Sequence, residues 1–189
     1  IFNAISPFYH VIQLFNEGKY RRAIKQIDQL IGIRGKKVLD VGCATGVWTE
    51  FFRKYGASRV VGVDLAEKMV RRARNNYPDA EFYQANALDI RMFDDETFDI
   101  VTASYVLHGP KRYERNRIVA EMLRVASEAV VIHDFDDKPL AFFPRIIEKL
   151  ERSNFEDFQQ NFFEDIKQFG YEVVKYPLPP HLALYIIKK

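Results

Sequence analysis

The chain has 189 residues, 48% of them hydrophobic and 29% charged, with only nine glycines and eight prolines. That composition suits one globular domain and excludes a disordered or fibrous chain. A net charge of +2 points to no polyanionic partner, and the single cysteine, Cys43, cannot close an internal disulfide. The first 16 residues carry no Lys, Arg, Asp or Glu, yet Asn3, Ser6, Pro7, His10, Gln13 and Asn16 break them up. They resemble neither a secretory signal nor a membrane span, so the expectation is a soluble, cytoplasmic protein.

In chain order, residues 10–31 place apolar side chains at roughly helical spacing, interrupted near Gly18. Lys37 to Val41 reads as a buried strand ending in a glycine loop, and Val47 to Tyr55 as a helix. Arg59 to Val63 is a second strand, and Ala66 to Asn76 a basic helix stopped before Pro78. Glu81 to Gln84, Phe98 to Ala103 and Ala129 to His133 follow as strands, with a helix near Arg115 to Val125. Strands that are nearly continuous in apolar residues and alternate with helices predict a parallel sheet covered on both faces. Tyr171 to Tyr176 and Leu182 to Ile187 break the rhythm, because only Pro177 to His181 lies between them. So short a link fits an antiparallel hairpin, whereas parallel neighbours need a crossover of about a dozen residues. The expected fold is therefore α/β, with a mixed sheet.

The most informative stretch is Val38-Leu39-Asp40-Val41-Gly42-Cys43-Ala44-Thr45-Gly46, a strand running into a tight loop. A dinucleotide fingerprint G-x-G-x-x-G starting at Gly42 would need glycines where Ala44 and Val47 stand. The pattern present is D-x-G-x-A-x-G, with an acid at the strand end that suits a ligand bearing a cation. Asp64 ends the second strand, 22 residues after Gly42, where a carboxylate can accept hydrogen bonds from both hydroxyls of a ribose. The competing reading of Asp64 is a cap for the helix at Ala66. Asn86, after the third strand, offers a donor and an acceptor, although Asn also favours turns on its own account.

These motifs resemble motif I and its downstream partners in the class I S-adenosylmethionine-dependent methyltransferases, with Ala44 in place of the middle glycine. The resemblance runs in order over residues 36–134 and is nearest to the small-molecule branch, including methyltransferase type 11 and the quinone-biosynthesis methyltransferases. It implies a Rossmann-like three-layer α/β/α sandwich with a seven-stranded mixed sheet whose last strand is antiparallel. One domain, 1–189, would then comprise an N-terminal helical lid (1–31), a cofactor core (36–134), a helical substrate-side insert (135–168) and a hairpin (171–188). The implied cofactor is S-adenosylmethionine, leaving as S-adenosylhomocysteine. Its implied site is Tyr9, Asp40, Gly42, Cys43, Ala44, Gly46, Asp64, Leu65, Asn86, Ala87, Leu88 and Ser104.

The implied reaction is in-line methyl transfer to a small-molecule acceptor, with no nucleic-acid or membrane partner expected. Ser104-Tyr105-Val106-Leu107 stands where amino-methyltransferases of DNA and glutamine carry N-P-P-Y, which argues against a planar amide or base nitrogen as acceptor. A base is needed only if the acceptor must lose a proton. His108 ranks first for that role, before Tyr105, His133 and Asp134, all at predicted strand ends. Asp134 and Asp136 could suggest a metal, but no third ligand is identifiable, and none is expected.

Sixteen Phe and ten Tyr exceed what such a core requires. Phe155, Phe158, Phe162, Ile166 and Phe169 recur at helical spacing and read as core, while Phe142 and Phe143 are candidates for a substrate wall. The basic groups Arg71, Arg72, Arg74 and Lys111, Arg112, Arg115, Arg117 read as solvated helix faces. Two alternatives stay open: a non-catalytic binder of the same cofactor, and a methyltransferase acting on RNA or protein. A nicotinamide dehydrogenase is opposed by the glycine spacing and the hairpin.

Overall fold

A computed structural model describes residues 17–137 and 154–189. The expected segments at Ser6 to Tyr9, including Tyr9, and at Phe142 and Phe143 lie outside the described residues. In chain order the elements are α1 (Glu17–Ile31), β1 (Lys37–Val41), α2 (Val47–Lys54), β2 (Arg59–Asp64), α3 (Glu67–Asn76) and β3 (Glu81–Gln84). They continue with β4 (Phe98–Ser104), α4 (Arg112–Val125), β5 (Ala126–Phe135), α5 (Phe155–Lys167), β6 (Glu172–Leu178) and β7 (Leu182–Lys188).

The seven strands form one sheet in the order β3-β2-β1-β4-β5-β7-β6. Strands β1 to β5 pair in parallel, and β7 runs antiparallel to both β5 and β6. The mixed, Rossmann-like sheet expected from the sequence is therefore present. The chain steps outward from β1 through β2 to β3, then returns to place β4 on the other side of β1. That reversal is the topological switch point, where open α/β sheets bind ligands beyond the carboxyl ends of their strands.

Side-chain alternation sorts the core into two layers. Leu39, Val41, Val61, Val63, Val101, Ala103, Val130 and Ile132 pack under α4 and α5, while Val38, Val60, Ile100 and Val131 meet α1 and α2. Helix α3 covers Cys43 and Phe82 beside them. Within α5, Phe155, Phe158, Phe162 and Ile166 are buried, as their helical spacing predicted, and Phe169 packs against the same cluster just beyond its end.

Two boundaries differ from the sequence reading, each for a local reason. Strand β6 continues through Pro177 to Leu178, so the hairpin link is only Pro179 to His181. Proline is tolerated there because β6 is the edge of the sheet, where a ladder N–H can be missing. Strand β5 starts at Ala126, immediately where α4 ends, and its polar opening residues Ser127 and Glu128 hide that start from an apolar pattern.

Candidate functional site

The loop after β1 is built from backbone that turns sharply. Gly42, Ala44 and Gly46 all have positive φ, at 77°, 47° and 86°. The backbone N–H groups of Gly42 and Cys43 both donate to the Val63 carbonyl, at 2.8 and 2.9 Å, which seats the loop on the end of β2. Ala44, the departure from the glycine pattern, occupies a left-handed conformation that costs an L-residue about 1–2 kcal/mol.

The glycines also make room for side chains. A Cβ on Gly42 would lie 2.5 Å from Val106 Cγ2, and one on Gly46 would lie 2.8 Å from Tyr77 and 2.9 Å from Phe82. Val106 belongs to the exit loop of β4, so the Gly42 position locks the two loops on either side of the switch point together.

Asp64 organises this end of the site. One carboxylate oxygen accepts the Ala44 N–H at 2.9 Å and the other accepts the Ala66 N–H at 2.8 Å. Asp64 thus holds the loop and closes its own Asx turn, while the cap position is Ala66 and has no side-chain cap bond, so Asp64 is not the helix cap. Burial raises the Asp64 pKa, and the two N–H donors oppose that rise.

Asp40 lies beneath the loop, 1% exposed. Its Oδ2 accepts the Thr49 hydroxyl at 2.5 Å, whereas Oδ1 is buried with no hydrogen-bond partner. Burial, with Asp64 adding its like charge, pushes the Asp40 pKa up to about 7 against the opposing Thr49 bond. An orphaned buried acceptor under a tight backbone loop fits a cofactor carrying positive charge.

Around this pair, Leu65 is 67% exposed, and Asn86 Oδ1 accepts the Leu88 N–H at 3.0 Å. Asn86 therefore makes its own turn, with Ala87 and Leu88 packed partly against the core.

The ends of β4 and β5 hold a second constellation. Asp134 is fully buried and accepts three hydrogen bonds: from His108 Nδ1 at 2.8 Å, Leu107 N–H at 2.9 Å and Phe135 N–H at 2.9 Å. Burial alone would raise its pKa, but His108 and the two backbone donors outweigh it and hold the carboxyl below its ordinary value. The His108 ring lies edge-to-face with Phe135 at 4.9 Å and with Phe155 and Phe158 at 6.5 and 6.4 Å.

Next to it, His133 Nδ1 is 2.9 Å from Ser104 Oγ and its ring stacks on Trp48 at 5.1 Å. Complete burial drives the His133 pKa down to about 4, so it is neutral near pH 7 and unsuited to carry a proton in turnover. Tyr105, with φ at 57°, packs edge-on to His133 and Phe135 while its N–H donates to the His133 carbonyl at 2.9 Å.

The structure thus brings His108, Tyr105 and Ser104 to one place at the end of β4, one strand from Asp40 on β1 and two from Asp64 on β2. Sequence reasoning missed three partners there: Thr49 on Asp40, Val106 over Gly42, and Asp134 as the residue that holds His108. Asp136 does not join Asp134, because Lys175 bridges it at 2.5 Å and Asp137 at 2.9 Å. Among the described residues no group of three or more His, Cys, Asp or Glu side chains is placed to hold a metal. On the basic helices only Arg115 turns inward, while Arg112, Arg74 and Arg117 stay exposed as expected and still find partners. Arg112 pairs with Asp165, Arg115 with Asp157, and Arg74 and Arg117 donate to the carbonyls of Phe82 and Leu88.

Known proteins resemble this chain in sequence and in fold. Residues 38–129 match the family model described as a methyltransferase domain. The ubiquinone biosynthesis O-methyltransferase of Coxiella burnetii (strain RSA 493 / Nine Mile phase I) is 36% identical over 99 residues, covering 49% of this chain and 42% of that protein. The demethylmenaquinone methyltransferase of Chlorobaculum tepidum is 33% identical over 120 residues, 60% of this chain and 48% of that protein. The chain therefore spans less than half the length of these relatives. Magnesium protoporphyrin IX methyltransferase from Synechocystis PCC 6803, solved with bound SAH, superposes with a TM-score of 0.72 at 14% identity, covering 94% of this chain and 85% of that one. The PH0226 protein from Pyrococcus horikoshii OT3 gives 0.69 at 23% identity, covering 89% and 90%. At such identities the likeness is one of fold.

Proposed function

We propose that the chain, whose residues 38–129 match a methyltransferase domain, is a class I S-adenosylmethionine-dependent methyltransferase that transfers the methyl group of S-adenosylmethionine, by in-line displacement, to a hydroxyl of a small aromatic acceptor. The observation that carries the reading is the loop from Gly42 to Gly46, tied through the Ala44 N–H to the Asp64 carboxylate at the sheet's switch point.

Asp64 keeps lone pairs beyond its two backbone bonds and takes the ribose hydroxyls. Leu65, Asn86, Ala87 and Leu88 border the base, with the exposed Leu65 giving it an apolar surface. Asp40, under Gly42, Cys43, Ala44 and Gly46, answers the cationic part, and Ser104 lines the side toward the acceptor. Tyr9 belongs to the same proposed site. When bound, the cofactor supplies an electrophilic methyl on a sulfonium, so the protein's work is orientation, exclusion of water and management of one proton.

Asp134 accepts the Nδ1–H of His108, which fixes the tautomer and presents Nε2 as the basic nitrogen. Because Asp134 also holds the Leu107 N–H, the loop carrying His108 is registered against β5. Gly109 accepts from the Asn154 side chain at 2.9 Å, tying the same loop to the start of α5. His108 takes the proton of the acceptor hydroxyl, Tyr105 orients the acceptor ring, and Phe135, Phe155 and Phe158 shield the pair from water. The hydroxyl acceptor is favoured because a base held by a buried carboxylate serves a group that must be deprotonated, and the relatives named above include O-methyltransferases of quinone biosynthesis.

Incubation with methyl-labelled S-adenosylmethionine and a catechol or hydroquinone tests this, with NAD as a binding control. Label on the aromatic oxygen is the expected result. Binding of the cofactor without transfer to any hydroxyl would leave a non-catalytic binder, and transfer to RNA or protein alone would overturn the acceptor class.

A further inference from the structure

Asp40 is a buried acid with no cation to answer it. An ionised carboxylate is costly to bury without a counter-charge, and a group so placed neutralises itself by holding a proton. Among the described residues its neighbours supply no positive charge. From β2, Asp64 brings a second carboxylate. From β4, the cross-strand partner Thr102 has its hydroxyl engaged by Trp48 Nε1 at 3.1 Å. From α2, Thr49 donates its hydroxyl, while Glu50 of the same helix is paired with Arg53. From the loop, the buried Cys43 thiol is pushed up by desolvation and by both carboxylates, and so stays neutral. Among the described residues one oxygen of Asp40 has no hydrogen-bond partner. The carboxyl pKa of about 7 is the consequence of this setting.

We propose that Asp40 is a proton-for-cation exchange site: protonated in the free protein below neutral pH, it gives up its proton to solvent when the positive end of a ligand enters the glycine loop. The carboxyl O–H bond breaks, the proton leaves to water, and the ligand's charge takes its place, so the buried site gains no net charge. The inference rests on the reading of the loop as the S-adenosylmethionine site. The positive charge has two possible sources in that ligand, its sulfonium and its amine, and S-adenosylhomocysteine retains only the amine.

Calorimetry at pH 6 in two buffers of different ionisation enthalpy measures the protons released on binding. At that pH the ligand's own amine, with an α-amino pKa of about 7.7–8.0, is already charged and contributes little. Close to one proton should leave per ligand bound, and none from the Asp40→Asn variant. Release with both ligands assigns the exchange to the amine, and release with S-adenosylmethionine alone assigns it to the sulfonium. Binding without release, or release that survives in Asp40→Asn, would overturn the proposal. Carbon-13 labelling of the aspartate carboxyls gives a second readout in the free protein. One carboxyl should titrate near neutral pH, vanish in Asp40→Asn, and move higher in Thr49→Val, which loses the opposing hydroxyl. An Asp40 titrating in the ordinary acid range would also overturn it. If neither ligand binds, the cofactor reading fails and the exchange with it, and the carboxyl titration distinguishes that failure from an ordinary acid at Asp40.

Discussion

Two aspartates stand at the ends of β1 and β5, equally hidden from solvent, and they behave in opposite ways. Asp40 has one hydroxyl donor, one orphaned oxygen and an acidic neighbour, and its pKa rises to about 7. Asp134 has two backbone donors and a histidine, and its pKa falls. Burial is common to both, so partners decide the sign. The β4–β5 side is a finished piece of electrostatics, an anion held by three donors that on the proposal above orients a base. The β1–β2 side is unfinished, and on the proposal above a cationic ligand completes it. A site divided this way can bind on one side and manage protons on the other, with Val106 over Gly42 as the joint between them.

The sharpest way to break the comparison is at the finished side. His108→Ala should slow methyl transfer by about 10²–10⁴-fold, the usual contribution of a positioned base, with cofactor affinity unchanged by calorimetry. Asp134→Ala should do the same and also cost about 3–5 kcal/mol of stability in a denaturant titration, because it breaks a buried pair and strands two N–H groups. A loss of cofactor binding in His108→Ala would show that the two sides are not separable.

At the unfinished side, Asp64→Ala should weaken cofactor binding by about 2–4 kcal/mol, since hydrogen bonds to a charged group contribute about 1.5–3 kcal/mol each. Turnover at saturating cofactor should change far less. Gly42→Ala tests the joint. The new methyl meets Val106 at 2.5 Å at a positive φ, so overpacking should cost about 1–3 kcal/mol. The Gly42→Ala, Val106→Ala double variant should recover part of that, and strict additivity would deny the contact.

The smallest effects lie in the pH dependence of stability. Asp40 titrates at about 7 when folded against 3.8 otherwise, so between about pH 4 and 7 the folded state holds the extra proton and stability falls as pH rises. His133 titrates at about 4 when folded against 6.5, so between about pH 4 and 6.5 the unfolded state holds the extra proton and stability rises with pH. Each slope is at most about 1.4 kcal/mol per pH unit, and in the native chain they oppose one another. Asp40→Asn should therefore expose a rising slope and His133→Asn a falling one, read from melts across that window. Parallel slopes in the two variants would contradict the assignments.

What the sequence made legible was short-range. The strand–loop–helix around Gly42 and the acid 22 residues on are carried by neighbours in the chain, and so were readable. The pairing of His108 with Asp134 depends on β4 lying beside β5. Both residues could be named as candidates, but not the one as holder of the other. Val106 against Gly42 spans two loops that only the sheet order brings together. Thr49 was near enough in sequence to find, nine residues after Asp40 and on the helix that the loop opens, yet nothing in its type distinguishes a buried partner from a surface threonine. Pro177 hid the end of β6 because edge position is a property of the sheet and not of the strand.

A crystal structure with S-adenosylhomocysteine bound would test the central claim most directly. The account predicts the ligand along Gly42 to Gly46, its ribose on Asp64, its amino-acid end over Asp40 or its sulfur there according to the source of the charge, and its methyl-donating side toward His108 and Asp134. A ligand seated elsewhere, such as the cavity of about 340 Å³ between Glu17, Glu50 and Tyr77, would contradict it.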